Sequence, residues 1–504
     1  MITLLHTNDV HGHLRAWRGW EGELQDQQLG GAARLASAIA AVRAESPNLL
    51  LMDAGDLIGD TMIAQLTHGQ ALTQVFDALQ YDAVVIGNHE PDFGGATLMQ
   101  RIESAGFATL AANVRRKDNG ELLTRPYMIK DYDGVKVGVF GLAYPKTPWT
   151  TAPKNVQDMT FDPEVDVARK FVNELRNQGV DLVIALTHLG LGADIQLAKQ
   201  VRGIDVIVGG HSHNRMHEAR RVGQTLIVQA GAHGSDLGRL DLFIEDGRIV
   251  KHRRVLYPLL ASEFNPDPAI HKLVEQIIAP HRDRMDEPIG EAASWLIRAQ
   301  TLAGQQPRKR DAQSPVDSLF ADILRETTSS DVALLPGVGY GVAIPPGPIT
   351  AAQLRQLVPH EGKVVTMQLS GSELREILEQ AVENVFTKDL DKKVGGMIQV
   401  SGMRFRYDRD KPLGERVEDI HMEPRQWSPE RKYRVATNSM LAAGGHHQQT
   451  FTRGRELQEH GSQYEMIKTY FQKQTNVSAP HDVRIRKVDK TDSPDSLLQS
   501  QPSR

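Results

Sequence analysis

The chain has 504 residues, 40% hydrophobic and 24% charged, with 58 basic against 63 acidic side chains and no cysteine. Domains usually split beyond roughly 250–300 residues, so two are expected. The composition excludes a disordered chain, the net charge of -5 gives no footprint for a nucleic-acid polymer, and the missing thiols exclude disulfides, thiolate metal sites and cysteine nucleophiles.

Taken in order, Ile2–Leu5 reads as a buried strand that leads into Asp9-Val10-His11. The amino terminus reaches His6 and Asn8-Asp9 too soon to hold a secretory apolar region. The chain is therefore expected in the cytoplasm, or in the periplasm as a processed form. A helical pattern over Ala32–Val42 precedes the strand Leu49–Met52, which ends in Gly55-Asp56. Another over Gln70–Leu79 precedes the strand Ala83–Ile86, which ends in Gly87-Asn88-His89-Glu90, and a third helix is read at Thr97–Ala105. Val135–Phe140 is an equally good strand, but only Gly141-Leu142-Ala143 follows it. A helix then opens with Asp162 as N-cap and Pro163 at its first position, presents Ala168, Phe171, Val172 and Leu175 on one face, and stops before Gly179. Strands Leu182–Leu186 and Val206–Val208 run into Thr187-His188 and Gly210-His211-Ser212-His213.

This alternation predicts an α/β layered domain over 1–260. Residues 261–290, with a helix at Pro268–Ile278, read as the interdomain connection. A second, α+β domain is expected over 291–488. It has a helix opened by Ser314-Pro315, capping boxes at Thr350/Gln353 and Ser370/Glu373, and strands Val332–Leu335, Val364–Leu369, Met397–Tyr407 and Tyr433–Ala436. Residues 489–504 form a polar tail. The runs Lys251–Arg254 and Arg308–Arg310 read as solvated charge. No apolar stretch approaches the roughly 18–20 residues that cross a bilayer.

In open α/β sheets ligands gather beyond the carboxyl ends of strands. Five strand ends here carry carboxylate, amide or imidazole groups, a donor set suited to Mn, Fe, Co, Ni or Zn at a hydrolytic site, with Mn or Zn preferred. No Gly-x-Ser-x-Gly element and no phosphate-binding P-loop is present, which removes serine hydrolases and P-loop enzymes.

The series Asp9/His11, Asp56, Asn88/His89, His188 and His211/His213 resembles that of the calcineurin-like metallophosphoesterases. The words His6–His13 and Gly87–Gly94 resemble the 5'-nucleotidase branch in particular. The resemblance implies a four-layered metallophosphoesterase β-sandwich flanked by helices, joined to a 5'-nucleotidase C-terminal-type domain that contributes the substrate pocket. Carried over by position, Asp9, His11 and His213 hold one metal, Asn88, His188 and His211 the other, and Asp56 bridges them, each of its oxygens facing one cation. A hydroxide bridging the two cations would attack a small phosphate monoester, a nucleotide above all, as in nucleotide catabolism. His89, oriented by Asp92, would stabilise the transition state or the departing alkoxide. Glu90 is expected to bond locally. His6, His13, His68 and His233 also sit near these segments and are expected to be packed or exposed imidazoles, with contact to the metal ligands' surroundings or the substrate the alternative for His13 and His233.

The second domain departs from the nucleotidase pattern. Leu335–Gly341 lacks the phosphate-gripping arginine, and its glycine pattern resembles that of bacterial thiosulfohydrolases. Gly339, Tyr340, Gly396 and Gly445 are the candidate substrate residues, whereas Phe405, Tyr407 and Phe451 are expected in the core. Two alternatives to the phosphoesterase follow: a thiosulfohydrolase-like enzyme acting on a sulfonate or sulfate group, and a non-catalytic metal-binding scaffold. A small-molecule substrate is expected, with neither nucleic acid nor membrane as partner.

Overall fold

A computed structural model describes residues 1–19, 24–59, 61–298, 311–338, 341–360, 362–387, 395–422, 426–474 and 476–488. The chain divides into two compact units, Met1–Met285 and Asp286–Arg504.

The first unit is built on two six-stranded sheets. One runs in the order Arg248–Pro258, Asp236–Glu245, Ile2–Thr7, Leu49–Asp53, Ala83–Val85, Ala108–Leu110. The other runs Arg220–Val222, Thr225–Val228, Val206–Gly209, Leu182–Thr187, Val135–Leu142, Tyr127–Tyr132. The period-two alternation of strand side chains decides how the sheets stack. Leu182, Ile184, Leu186, Val206 and Val208 share a core with Ile2, Leu4, Leu50, Met52 and Leu240 of the other sheet, all 2% exposed or less. Burying each such side chain contributes roughly 1.5–3 kcal/mol. The alternate residues Val183, Ala185 and Ile207 pack instead on Ala168, Phe171, Val172 and Leu175 of the helix Glu164–Asn177. Helix Ala32–Glu45 lies on the strand Asp236–Glu245 of the first sheet and packs with Pro268–Ile278. The layers are helix, sheet, sheet, helix.

Parallel pairing aligns the strand ends that matter. Thr7 is level with Asp53 and Asp53 with Val84 in one sheet. Thr187 is level with both Gly209 and Leu142 in the other. The residues just past these positions therefore emerge together at the carboxyl edge of each sheet.

Two expectations need correction. Asp162 does not cap the helix that follows it: Pro163 occupies the N-cap position without a side-chain cap, and the helix starts at Glu164. The Asp162 carboxylate is taken by the Arg115 guanidinium at 2.6 Å, a partner sequence spacing cannot reveal. The helix at Pro268–Ile278, read as part of a connection, buries Ile270, Val274 and Ile278 within the first unit.

The second unit holds a five-stranded sheet, Gly396–Ser401, Val332–Gly337, Lys432–Asn438, Lys363–Ser370, Arg455–Ser462, and a three-stranded one of Val417–Met422, Met403–Tyr407 and Ile485–Lys487. Both capping boxes form, at Thr350/Gln353 and Ser370/Glu373. The expected strand Met397–Tyr407 is two strands in two sheets, broken at Gly402. Gly402 has φ +76°, and a Cβ there would lie 2.2 Å from the Asp331 carbonyl oxygen, so only glycine fits the corner. Phe405, Tyr407 and Phe451 are core residues, 2% exposed or less. The run Arg308–Arg310 and the tail 489–504 lie outside the described residues.

Candidate metal centre

All seven expected ligands meet at the carboxyl edge of the first unit's sheets. Asp9, His11 and His213 present donor atoms within 4.8 Å of one another, as do Asp56, His188 and His211. Asn88 joins the second group, its Oδ1 being 3.3 Å from His188 Nε2. Five of the seven sit on left-handed backbone: Asp9 (φ 52°), His11 (50°), Asp56 (57°), His211 (72°) and His213 (56°). That conformation costs roughly 1–2 kcal/mol per non-glycine residue, and Asp and His are among the types that tolerate it best. The strand ends are turned sharply inward at a cost the tertiary structure must offset.

Hydrogen bonds fix which atom of each side chain faces the centre. His188 Nδ1 donates to the Ala54 carbonyl at 2.7 Å, leaving Nε2 at 3.0 Å from Asp56 Oδ2. Asp9 Oδ2 accepts from Asn8 Nδ2 (2.6 Å), the His211 N–H is shared between Oδ2 (2.9 Å) and Oδ1 (3.1 Å), and Oδ1 also faces His213 Nε2 at 3.2 Å. Asp56 Oδ1 accepts the His89 backbone N–H at 2.9 Å. Oδ2 is the oxygen that faces both groups, at 3.0 Å from His188 Nε2 and 3.9 Å from His11 Nε2. Oδ1 is also tied to the neighbouring loop through the His89 N–H. At Gly87 a Cβ would stand 2.2 Å from Asp56 Oδ1, which explains the glycine there.

Burial holds His11 well below the ordinary imidazole value. His188 is equally buried, but the Asp56 carboxylate and the hydrogen bond to it lift it to about 10. Burial pushes Asp56 up, yet His188, His89 and His11 hold it well below the carboxylate range. A convergent set of carboxylates, imidazoles and one amide oxygen fits divalent cations.

A calcineurin-like phosphoesterase model matches residues 2–215, and a 5'-nucleotidase C-terminal domain model matches residues 288–453. The chain belongs to the 5'-nucleotidase branch of the calcineurin-like metallophosphoesterases. It is a hydrolase of that family. It is 26% identical to the trifunctional nucleotide phosphoesterase protein YfkN of Bacillus subtilis over 97% of its own length, and spans only 35% of that protein. The crystal structure of a 5'-nucleotidase precursor from Thermus thermophilus matches with TM-score 0.87 and 27% identity, over 97% of this chain and 99% of that one. The sulfate thiohydrolase SoxB of Thermus thermophilus shares the fold, with TM-score 0.86 and 23% identity over 97% and 96% of the two chains.

In this metallophosphoesterase the turn after Ala83–Val85 carries more than a ligand. His89 Nδ1 is 2.7 Å from Asp92 Oδ2, and a ring nitrogen of His89 lies within 4.8 Å of the donors of His11 and Asp56. Glu90, expected only to bond locally, ties two loops together. Its carboxylate accepts backbone N–H groups from Gly87 (2.6 Å), Asp56 (3.1 Å) and Leu57 (2.7 Å). Burial and the nearby Asp56 raise it to about 7.

His233 stands against the centre with its ring centroid 5.7 Å from that of His11 and 5.5 Å from that of His213, and His13 packs 4.7 Å from His233. His13 Nδ1 is spent on the Val10 carbonyl, and burial lowers it to about 4. His6 is buried in the sheet against Gly238 and is held well below the ordinary value by burial and by Arg254.

Sequence reasoning missed the supports of the ligand loops. Asp53 accepts from Thr7 Oγ1 (2.5 Å) and Gly55 N–H (2.8 Å) beneath the Asp56 loop. Gln229 Oε1 accepts from Asn214 N–H (3.2 Å), and its Nε2 donates to the Gly210 carbonyl (3.2 Å), bracketing His211 and His213. A buried acid at a strand end is the one signal that could have marked Asp53; Gln229 offers none.

In the second unit, Gly396 pairs with Gly337 at the end of its strand, and Gly445 opens a tight turn where a Cβ would lie 2.2 Å from Met440 Sδ. Those two turns approach each other, a Cβ on Gly395 standing 2.5 Å from His446 Nδ1. Gly339 and Tyr340 lie outside the described residues. No helix among the described residues is long and apolar enough to cross a membrane.

Proposed function

We propose that the chain hydrolyses a small phosphate monoester, with a nucleoside monophosphate as the leading substrate. Asp9, His11 and His213 would hold one divalent cation, Asn88, His188 and His211 a second, with Asp56 shared between them. Two divalent cations would supply an activated water and neutralise the charge that develops on the phosphoryl oxygens. The rest is the work of this chain. Asp92 accepts the Nδ1–H of His89 and stabilises the imidazolium form of the ring, whose Nε2–H can then donate to a phosphoryl or leaving-group oxygen. The Glu90 clasp keeps Asp56 and His89 in register.

The observation that carries this reading is the convergence of seven donors from five strand ends beside the His89–Asp92 pair. The same intact turn supports an ester over the sulfonate alternative, and the full donor set supports an enzyme over a scaffold. Protein loaded with Mn²⁺ and given nucleoside monophosphates, sugar phosphates, p-nitrophenyl phosphate and a thiosulfonate tests all three. Phosphate release, highest from a nucleoside monophosphate, is expected; release from none of the esters overturns the reading.

A further inference from the structure

The strand Val135–Leu142 ends level with Thr187, at the same edge as the metal-type clusters, yet carries no ligand. The segment that follows it has a different part in the site. Tyr144 lies on the ring of His211, with centroids 4.2 Å apart and planes 31° from parallel. Seven residues on, Thr151 Oγ1 donates to Asp92 Oδ1 at 2.8 Å, while Asp92 Oδ2 faces His89 Nδ1 at 2.7 Å. Asn155 Nδ2 donates to the Asp92 carbonyl (2.8 Å) and to Thr151 Oγ1 (3.2 Å).

The direction of each proton follows without its being seen. The Asp92 carbonyl can only accept, which fixes the Asn155 amide as donor to both oxygens. The Thr151 hydroxyl therefore accepts from Asn155 and sends its single proton to Asp92, an acceptor-only carboxylate. Asp92 is held from both sides: one oxygen by a hydroxyl 59 residues away in sequence, the other by the imidazole. Its carboxyl cannot rotate off His89 without breaking the bond to Thr151.

We infer that Thr151, braced by Asn155, is a positioning residue for the reaction: it locks the rotamer of Asp92 and thereby the orientation of His89. This rests on the roles given to His89 and Asp92 above. It involves no proton transfer of its own.

The test pairs Thr151→Val, which keeps the shape and removes the hydroxyl, with Thr151→Ser, which restores it. With Mn²⁺ and p-nitrophenyl phosphate, Thr151→Val should lose on the order of 10–100-fold in kcat, with KM and bound metal unchanged. Thr151→Ser should recover to within about threefold of wild type. A kcat for Thr151→Val within about twofold of wild type, or a Thr151→Ser variant as impaired as Thr151→Val, overturns the inference. Crystal structures of the two variants decide it independently of turnover. Asp92 rotated away from His89 Nδ1 in Thr151→Val alone supports it, and an undisturbed contact overturns it. Should wild type hydrolyse none of the esters, the functional reading fails, while the crystal structures still decide the positioning role.

Discussion

Asp56 and His89, 33 residues apart, are joined by a 2.9 Å hydrogen bond from the His89 backbone N–H to Asp56 Oδ1. The bond is reciprocated, because Glu90, the residue after His89, accepts the Asp56 N–H at 3.1 Å. The shared carboxylate of the metal centre and the turn that carries the His89–Asp92 pair are thus one mechanical unit.

Glu90→Gln tests that unit. Oε1 faces the Leu57 N–H and Oε2 the Gly87 and Asp56 N–H groups, so an amide must aim its own NH₂ at a donor whichever way it is turned. Metal affinity should fall on the order of 10–100-fold, as for other groups that hold ligands in place. Metal titration followed by calorimetry checks this; an unchanged dissociation constant would show that the clasp is dispensable.

Asp194 gives a pH signature. It lies fully buried, accepts from Thr187 Oγ1 at 2.6 Å, and burial raises it to about 7. An acid whose folded value is raised favours folding below its unfolded value of about 3.9, and that advantage is lost as pH rises through about 7. Asp194→Asn should therefore gain stability over wild type between pH 5 and pH 8, with an upper bound of about 4 kcal/mol from 1.36 kcal/mol per pKa unit. Thermal unfolding of both proteins across that range checks the sign. A variant that becomes relatively less stable as pH rises contradicts it.

Gly402→Ala probes the corner between the second unit's five-stranded and three-stranded sheets. With φ +76° and a Cβ 2.2 Å from the Asp331 carbonyl oxygen, the alanine should cost about 2 kcal/mol or more. Denaturant unfolding measures it. A loss within about 0.5 kcal/mol, the range of an ordinary surface change, would mean that the corner relaxes.

These predictions draw on features of unequal visibility in the sequence. Strand ends followed by Asp, His and Asn are legible because apolar runs stop abruptly at residue types suited to metals, and the seven candidate ligands can be read from there. Thr350/Gln353 and Ser370/Glu373 were equally legible, since a capping box is a local pattern of fixed spacing. What escaped was long-range. Asp162 had the right neighbours for a cap but met Arg115, 47 residues earlier in the chain. Thr151 lies in a segment with no motif, and its value comes only from the fold bringing it to Asp92. The hydrogen bond from the His89 N–H to Asp56 Oδ1 is likewise invisible in the sequence, because it depends on two loops 33 residues apart meeting.

The most direct test of the whole account counts cations. Wild-type chain reconstituted with Mn²⁺ should carry two ions and release phosphate from an ester; Asp56→Asn should lose metal and turnover together; His89→Asn should keep both ions and lose turnover by orders of magnitude. Full phosphate release from protein stripped of transition metal, or undiminished metal in Asp56→Asn, would contradict it.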